Sequence, residues 1–132
     1  MNKKHIVTTI ILICSFCLIT SNTYSSSIKE DYELQEKCGK SCKELFSQKY
    51  DLGNGSFYNS HYNKKMNKCF ISILHLGGPL TIKRKILLDV HGNKDYGIFT
   101  HRVEGIIICE VLDTKCNSEK EWDLLVKPYM EE

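Results

Sequence analysis

Residues 67–102 read "NKCFISILHLGGPLTIKRKILLDVHGNKDYGIFTHR". "NKCFISILHL" sets Phe70, Ile71, Ile73, Leu74 and Leu76 in one run of strand-forming residues. Gly77, Gly78 and Pro79 force a break. "IKRKILLDV" gives the next strand, "HGNKD" turns the chain, and "YGIFTHR" returns it.

Strands are expected on both sides of this stretch. Upstream, the aromatic-rich "SFYNSHYN" joins it through a hairpin closed by "KKMN". Downstream, "IIICEV" is the most apolar segment and predicts a strand buried on both faces. Helices flank the strands. Leu34, Cys38, Cys42, Leu45 and Tyr50, with Phe46 beside them, make one apolar stripe. Gly39 weakens the middle of that stripe, and Ser41 with Glu44 reads as a capping box, so the helix is expected to begin near Ser41. At the other end Ser118 and Glu121 make a second capping box ahead of Trp122, Leu125, Val126 and Tyr129, and Pro128 is expected to end or kink the helix. The order helix, strands, helix predicts an α+β domain. Its mainly antiparallel sheet has about five strands, with a helix at each end and disulfide staples.

The first 25 residues read as a leader. Lys3 and Lys4 precede a 14-residue, mostly apolar run, Ile6–Ile19, and small residues follow to Ser25. The run is shorter than the ~20 residues of a membrane span. Cys14 and Cys17 follow Ile13 and Phe16, not the small residue that precedes a lipid-attachment cysteine. The expectation is an exported, periplasmic or secreted protein with no stable membrane span after cleavage. Residues 26–132 would form one domain, with 26–31 as a loose lead-in. Without the leader, sixteen basic residues face sixteen acidic ones, so no net field draws the chain to nucleic acid.

Five of the seven cysteines lie beyond the leader: Cys38, Cys42, Cys69, Cys109 and Cys116. An exported chain meets oxidising conditions, and an odd count leaves a spare. Cys38 and Cys42 are not a C-x-x-C redox pair, and on one helical turn their Cβ atoms stand about 5–6 Å apart, against about 3.8 Å in a disulfide. Cys109 and Cys116 flank a tight connection, a cross-link worth roughly 2.5 kcal/mol. Cys69 then takes a partner from the first helix. Cys38 is favoured, a staple worth roughly 3.5 kcal/mol, and Cys42 is the rival.

"SHYNKKMNKCF", "NKDYGIF" and the closing "SEKEWDLLVKPYMEE" resemble a family of small exported bacterial proteins, over nearly all of the chain after the leader. In that family the recurrent cysteines correspond to Cys38, Cys69, Cys109 and Cys116, and position 42 corresponds to a site usually filled by a small residue such as Ala. The resemblance thus implies Cys42 as the free thiol. It implies a compartment and a scaffold, and no activity.

The histidines His61, His75, His91 and His101 show no metal-ligand spacing, and no nucleophile-elbow, phosphate-loop or dinucleotide motif occurs. Asn54-Gly55-Ser56 fits a glycosylation sequon but reads as a turn. No catalytic, metal-binding or cofactor-binding set is predicted. The basic cluster "TIKRK", 81–85, reads as a solvated strand edge. Phe57, Tyr58, His61 and Tyr62 are the candidate interaction surface, since Tyr is enriched at interfaces; the competing reading is an edge strand packing its aromatics on the helix. The functional expectation is a non-catalytic binding or accessory domain for a protein or envelope component. Two alternatives stand beside it. One is an inhibitor of an extracellular hydrolase that presents "HLGGPLT", residues 75–81. The other is a thiol-dependent enzyme built on Cys42.

Overall fold

A computed structural model describes residues 28–50, 55–77 and 82–131. The expected leader, residues 1–25, lies outside the described residues. Residues 34–132 form one compact unit. Helix α1 covers residues 28–49. Six strands follow: β1 (Ser56–Asn63), β2 (Lys68–Gly77), β3 (Ile82–Asp89), β4 (Lys94–Arg102), β5 (Gly105–Val111) and β6 (Thr114–Lys115). Helix α2 (Glu119–Met130) closes the order. Each strand pairs antiparallel with the next, so sheet order equals chain order. The fold is α+β, as the pattern of elements requires.

The two helices lie on opposite faces of the sheet. Alternation along β2 makes this visible. Cys69, Ile71 and Ile73 pack with Cys38, Cys42 and Phe46 of α1, while Phe70 packs with Trp122 and Val126 of α2. β2 and β3 are therefore the strands buried on both sides, through Phe70 with Ile71 and Leu87 with Leu88. β5 is not. Ile106, Ile107 and Ile108 are 38%, 52% and 40% exposed, and only Cys109 and Val111 reach the α2 core. This corrects the expectation for "IIICEV". β5 has only the two-residue β6 beyond it, so it is nearly an edge strand.

Three further expectations change. α1 does not begin near Ser41: the helix runs through residues 28–40, including 28–31, read as loose from the sequence. Ser41 Oγ lies 3.3 Å from His91 Nε2 and Glu44 Oε1 accepts from Gln48 Nε2, so neither side chain makes the cap. Pro128 does not end α2, which continues to Met130 and is closed by Glu131 N–H donating to Lys127 O. Its N-terminus is capped by Ser118 Oγ, which accepts from Glu121 N–H at 3.1 Å. "TIKRK" is not at an edge: β3 is internal, and Lys83 and Lys85 turn toward the acidic start of α2. Lys85 meets Glu119 and Asp123 at 2.6 Å each, with its ammonium 5.2 Å from the centre of the Trp122 ring.

One ion pair gives a pH signature. Asp89 is buried, takes Lys68 Nζ as partner, and accepts from Gly92 N–H at 3.0 Å. Burial pushes its carboxyl up, but the bonds from Lys68 and Gly92 outweigh it and hold the group below its usual range. The unfolded chain then binds a proton before the folded one does. Asp89 therefore stabilises the fold above the unfolded value of about 3.9, and that contribution is lost as pH falls through the lower folded value. Urea midpoints are expected to drop below about pH 4 in the wild type and to drop less steeply in Asp89→Asn. Equal slopes would remove Asp89 from the account.

Candidate binding surface on the open face of the sheet

Helix α1 covers only part of its face. The strand registers place Tyr58, Ile73, Ile86, Ile98 and Glu110 in one row across β1 to β5. Phe46 of α1 covers the first, with the Phe46 and Tyr58 ring centres 4.6 Å apart. Ile73 is buried, Ile86 and Ile98 are half-buried, and Glu110 is exposed. The next row runs Ser56, His75, Arg84, Thr100 and Ile108. Beyond α1 these rows floor an open groove of about 430 Å³. Its floor is the isoleucine ladder Ile73–Ile86–Ile98; its rim carries Arg84 and Lys49 against Asp95 and Glu110.

The wall of the groove at β5 is Leu112, whose φ is 50°. A left-handed leucine is uncommon, because its Cβ crowds the backbone. Leu112 N–H donates to Tyr96 O at 2.6 Å, and the Cys109–Cys116 disulfide (Cα–Cα 5.0 Å) closes the hairpin around it. The strain is held in place by these ties, which is common beside functional surfaces.

His75 lies in the groove and shares a hydrogen bond of 2.9 Å with Ser56 Oγ through Nδ1. Among the described residues no carboxylate bonds this imidazole. The other described histidines are scattered. His61 Nε2 is buried with no partner among the described residues, His91 faces Ser41, and His101 stacks on Phe99.

The residues expected as one interaction surface are split by strand periodicity. Tyr58 and Tyr62 pack toward α1, and Tyr62 N–H donates to Gln35 Oε1 at 2.8 Å. Phe57 and His61 alternate to the other face, where Phe57 stays exposed. The structure does not bring the four together. The loop "HLGGPLT" falls partly outside the described residues, at 78–81.

Among the described residues one cluster has metal-ligand character: Cys38, Cys42 and Cys69. Cys38 and Cys69 are joined, with Cα atoms 5.4 Å apart, so two of the three sulfurs offer no thiolate in this state. Cys42 is the free thiol, and it is fully buried. Burial pushes the thiol up to about 12, so it is neutral near pH 7 and donates weakly to Phe70 O at 3.6 Å.

Sequence reading found these cysteines but missed the groove. Ile73, Ile86 and Ile98 come from three strands, and register shifts at Leu87/Leu88 and Thr100/His101 set how the rows align. Comparison with family models, curated proteins and solved structures gives no match for this chain. Two disulfides are compatible with an oxidising compartment. Among the described residues no helix is long and apolar enough to cross a membrane.

Proposed function

We propose that this chain is a non-catalytic, exported binding module that takes a segment of a protein or envelope component on the open face of its sheet. The observation that carries the reading is the isoleucine ladder. It emerges from under α1 into a groove whose rim bears both signs of charge. An apolar floor with a few polar groups at the rim is how such sites bind and orient a ligand. The leader, the disulfides and the resemblance to exported proteins support the compartment. The neutral, buried Cys42 weighs against a thiol-dependent enzyme.

Arg84 and Glu110 are exposed on the two sides of the groove and suit a test that spares the fold. Surface substitutions of this kind stay within about 0.5 kcal/mol in stability. Immobilised wild type is expected to retain a defined component from envelope extract. Arg84→Glu with Glu110→Lys is expected to weaken that retention at least about tenfold, about 1.4 kcal/mol of binding. The urea midpoint should not move. Equal retention by both proteins would place the binding surface elsewhere.

A further inference from the structure

Cys42 Sγ lies 3.5 Å from Cys69 Sγ and 4.0 Å from Cys38 Sγ. All three residues are essentially inaccessible to solvent. Among the described residues, Cys42 therefore sits against the disulfide that ties α1 to the sheet. Cys38 and Cys42 stand one turn apart on α1, on the face turned toward β2, so each presents a sulfur to Cys69. We propose that Cys42 is an internal exchange thiol. The covalent tie between α1 and β2 can pass from Cys38–Cys69 to Cys42–Cys69, and Cys42 serves as reserve partner when Cys38 is lost.

The step is a thiol–disulfide exchange that needs no external oxidant. Cys42 gives up its proton and its thiolate attacks Cys69 Sγ. The Cys42–Cys69 bond forms and the Cys38–Cys69 bond breaks. The electron pair leaves on Cys38 Sγ, which takes up a proton, so the number of disulfides is unchanged.

The packed state holds this exchange back in two ways. An attacking sulfur must line up behind the bond it breaks, which puts it a full bond length farther from the leaving sulfur than from its target. Cys42 is nearly equidistant from both, so it sits beside the bond. Burial also keeps the thiol protonated. Exchange therefore awaits a local opening of α1. Gly39 lies between the two cysteines and makes this turn of helix easier to open than Ala would.

Two measurements test the proposal. Cys38→Ala and Cys69→Ala are refolded from the reduced, denatured state in mixed reduced and oxidised glutathione, the oxidant that closes the bond, then acid-trapped and mapped. Cys38→Ala is expected to carry Cys42–Cys69 in most molecules, with a urea midpoint nearer to wild type than to Cys69→Ala. Recovery of Cys38→Ala with Cys42 and Cys69 both alkylated overturns it. The second measurement uses the wild type, so it does not depend on a variant folding. Oxidised protein is held at about pH 9 in urea below the unfolding midpoint, acid-quenched at intervals, and alkylated after denaturation. The free thiol is expected to spread from Cys42 to Cys38 with time. Label confined to Cys42 throughout overturns the exchange.

Discussion

Phe70→Ala is expected to lower the unfolding free energy by about 3–5 kcal/mol, the range for truncating a fully buried aromatic. Phe70 is 0% exposed. Its ring meets Tyr96 and Tyr129 edge-on, with centroids 5.0 and 5.4 Å away, and packs in the cluster that holds Trp122, Phe99 and Leu87. Truncation leaves a hole against Tyr96 of β4 and Tyr129 of α2, and close-packed neighbours collapse into such a hole only in part. Total stabilities of single domains run about 5–15 kcal/mol, so the loss is a large fraction of the whole. Phe57→Ala is the matched control: it is 59% exposed and should change stability by about 0.5 kcal/mol or less. Urea unfolding of both variants under non-reducing conditions decides the point. Similar midpoints would mean that the α2 face does not hold the fold.

Cys69→Ala is expected to be the most damaging cysteine substitution, at about 2–5 kcal/mol. Cys69 is the one sulfur on β2 that either helix cysteine can reach. Its removal leaves Cys38 and Cys42 as two thiols 4.0 Å apart on a single helix face and frees α1 from its covalent tie. Cys42→Ala should be mild by comparison, since a small, neutral, buried side chain is replaced by a slightly smaller one. Non-reducing denaturation of the two variants separates them. A Cys69→Ala protein as stable as Cys42→Ala would show that the tie adds nothing to stability.

The strands from β2 to β4 were legible because glycine, proline and asparagine mark their ends and β-formers fill their interiors. α2 was legible because Ser118 supplies a real cap. The start of α1 is ambiguous in the sequence. A serine followed three residues later by a glutamate occurs inside helices as well as at their starts, and only the hydrogen bonds tell which. The exposure of β5 has another origin. Ile106–Ile108 is as apolar as a buried strand, but burial depends on how far the helices reach across the sheet, and no local pattern carries that distance. Lys85 misled in the opposite sense. A lysine in a strand reads as solvated, yet Glu119 and Asp123, more than thirty residues later, supply its partners. The groove was invisible because it is a property of register: one slip in the pairing of β3 with β4 would send Ile98 to the other face.

The strict neighbour-to-neighbour order of the sheet bears on how the chain folds. Every strand can zip onto the strand made just before it, so most of the sheet assembles from contacts close in sequence, the kind of topology that folds fast. The closure is different. Asn63, at the end of β1, donates through Nδ2 to Pro128 O at 2.9 Å, and Trp122 and Val126 seal the face that Phe70 presents. A growing chain therefore carries a finished ribbon with one apolar side open until α2, Glu119–Met130, is made. That interval is when the protein is most exposed to sticking to its neighbours, and it ends only when α2 docks.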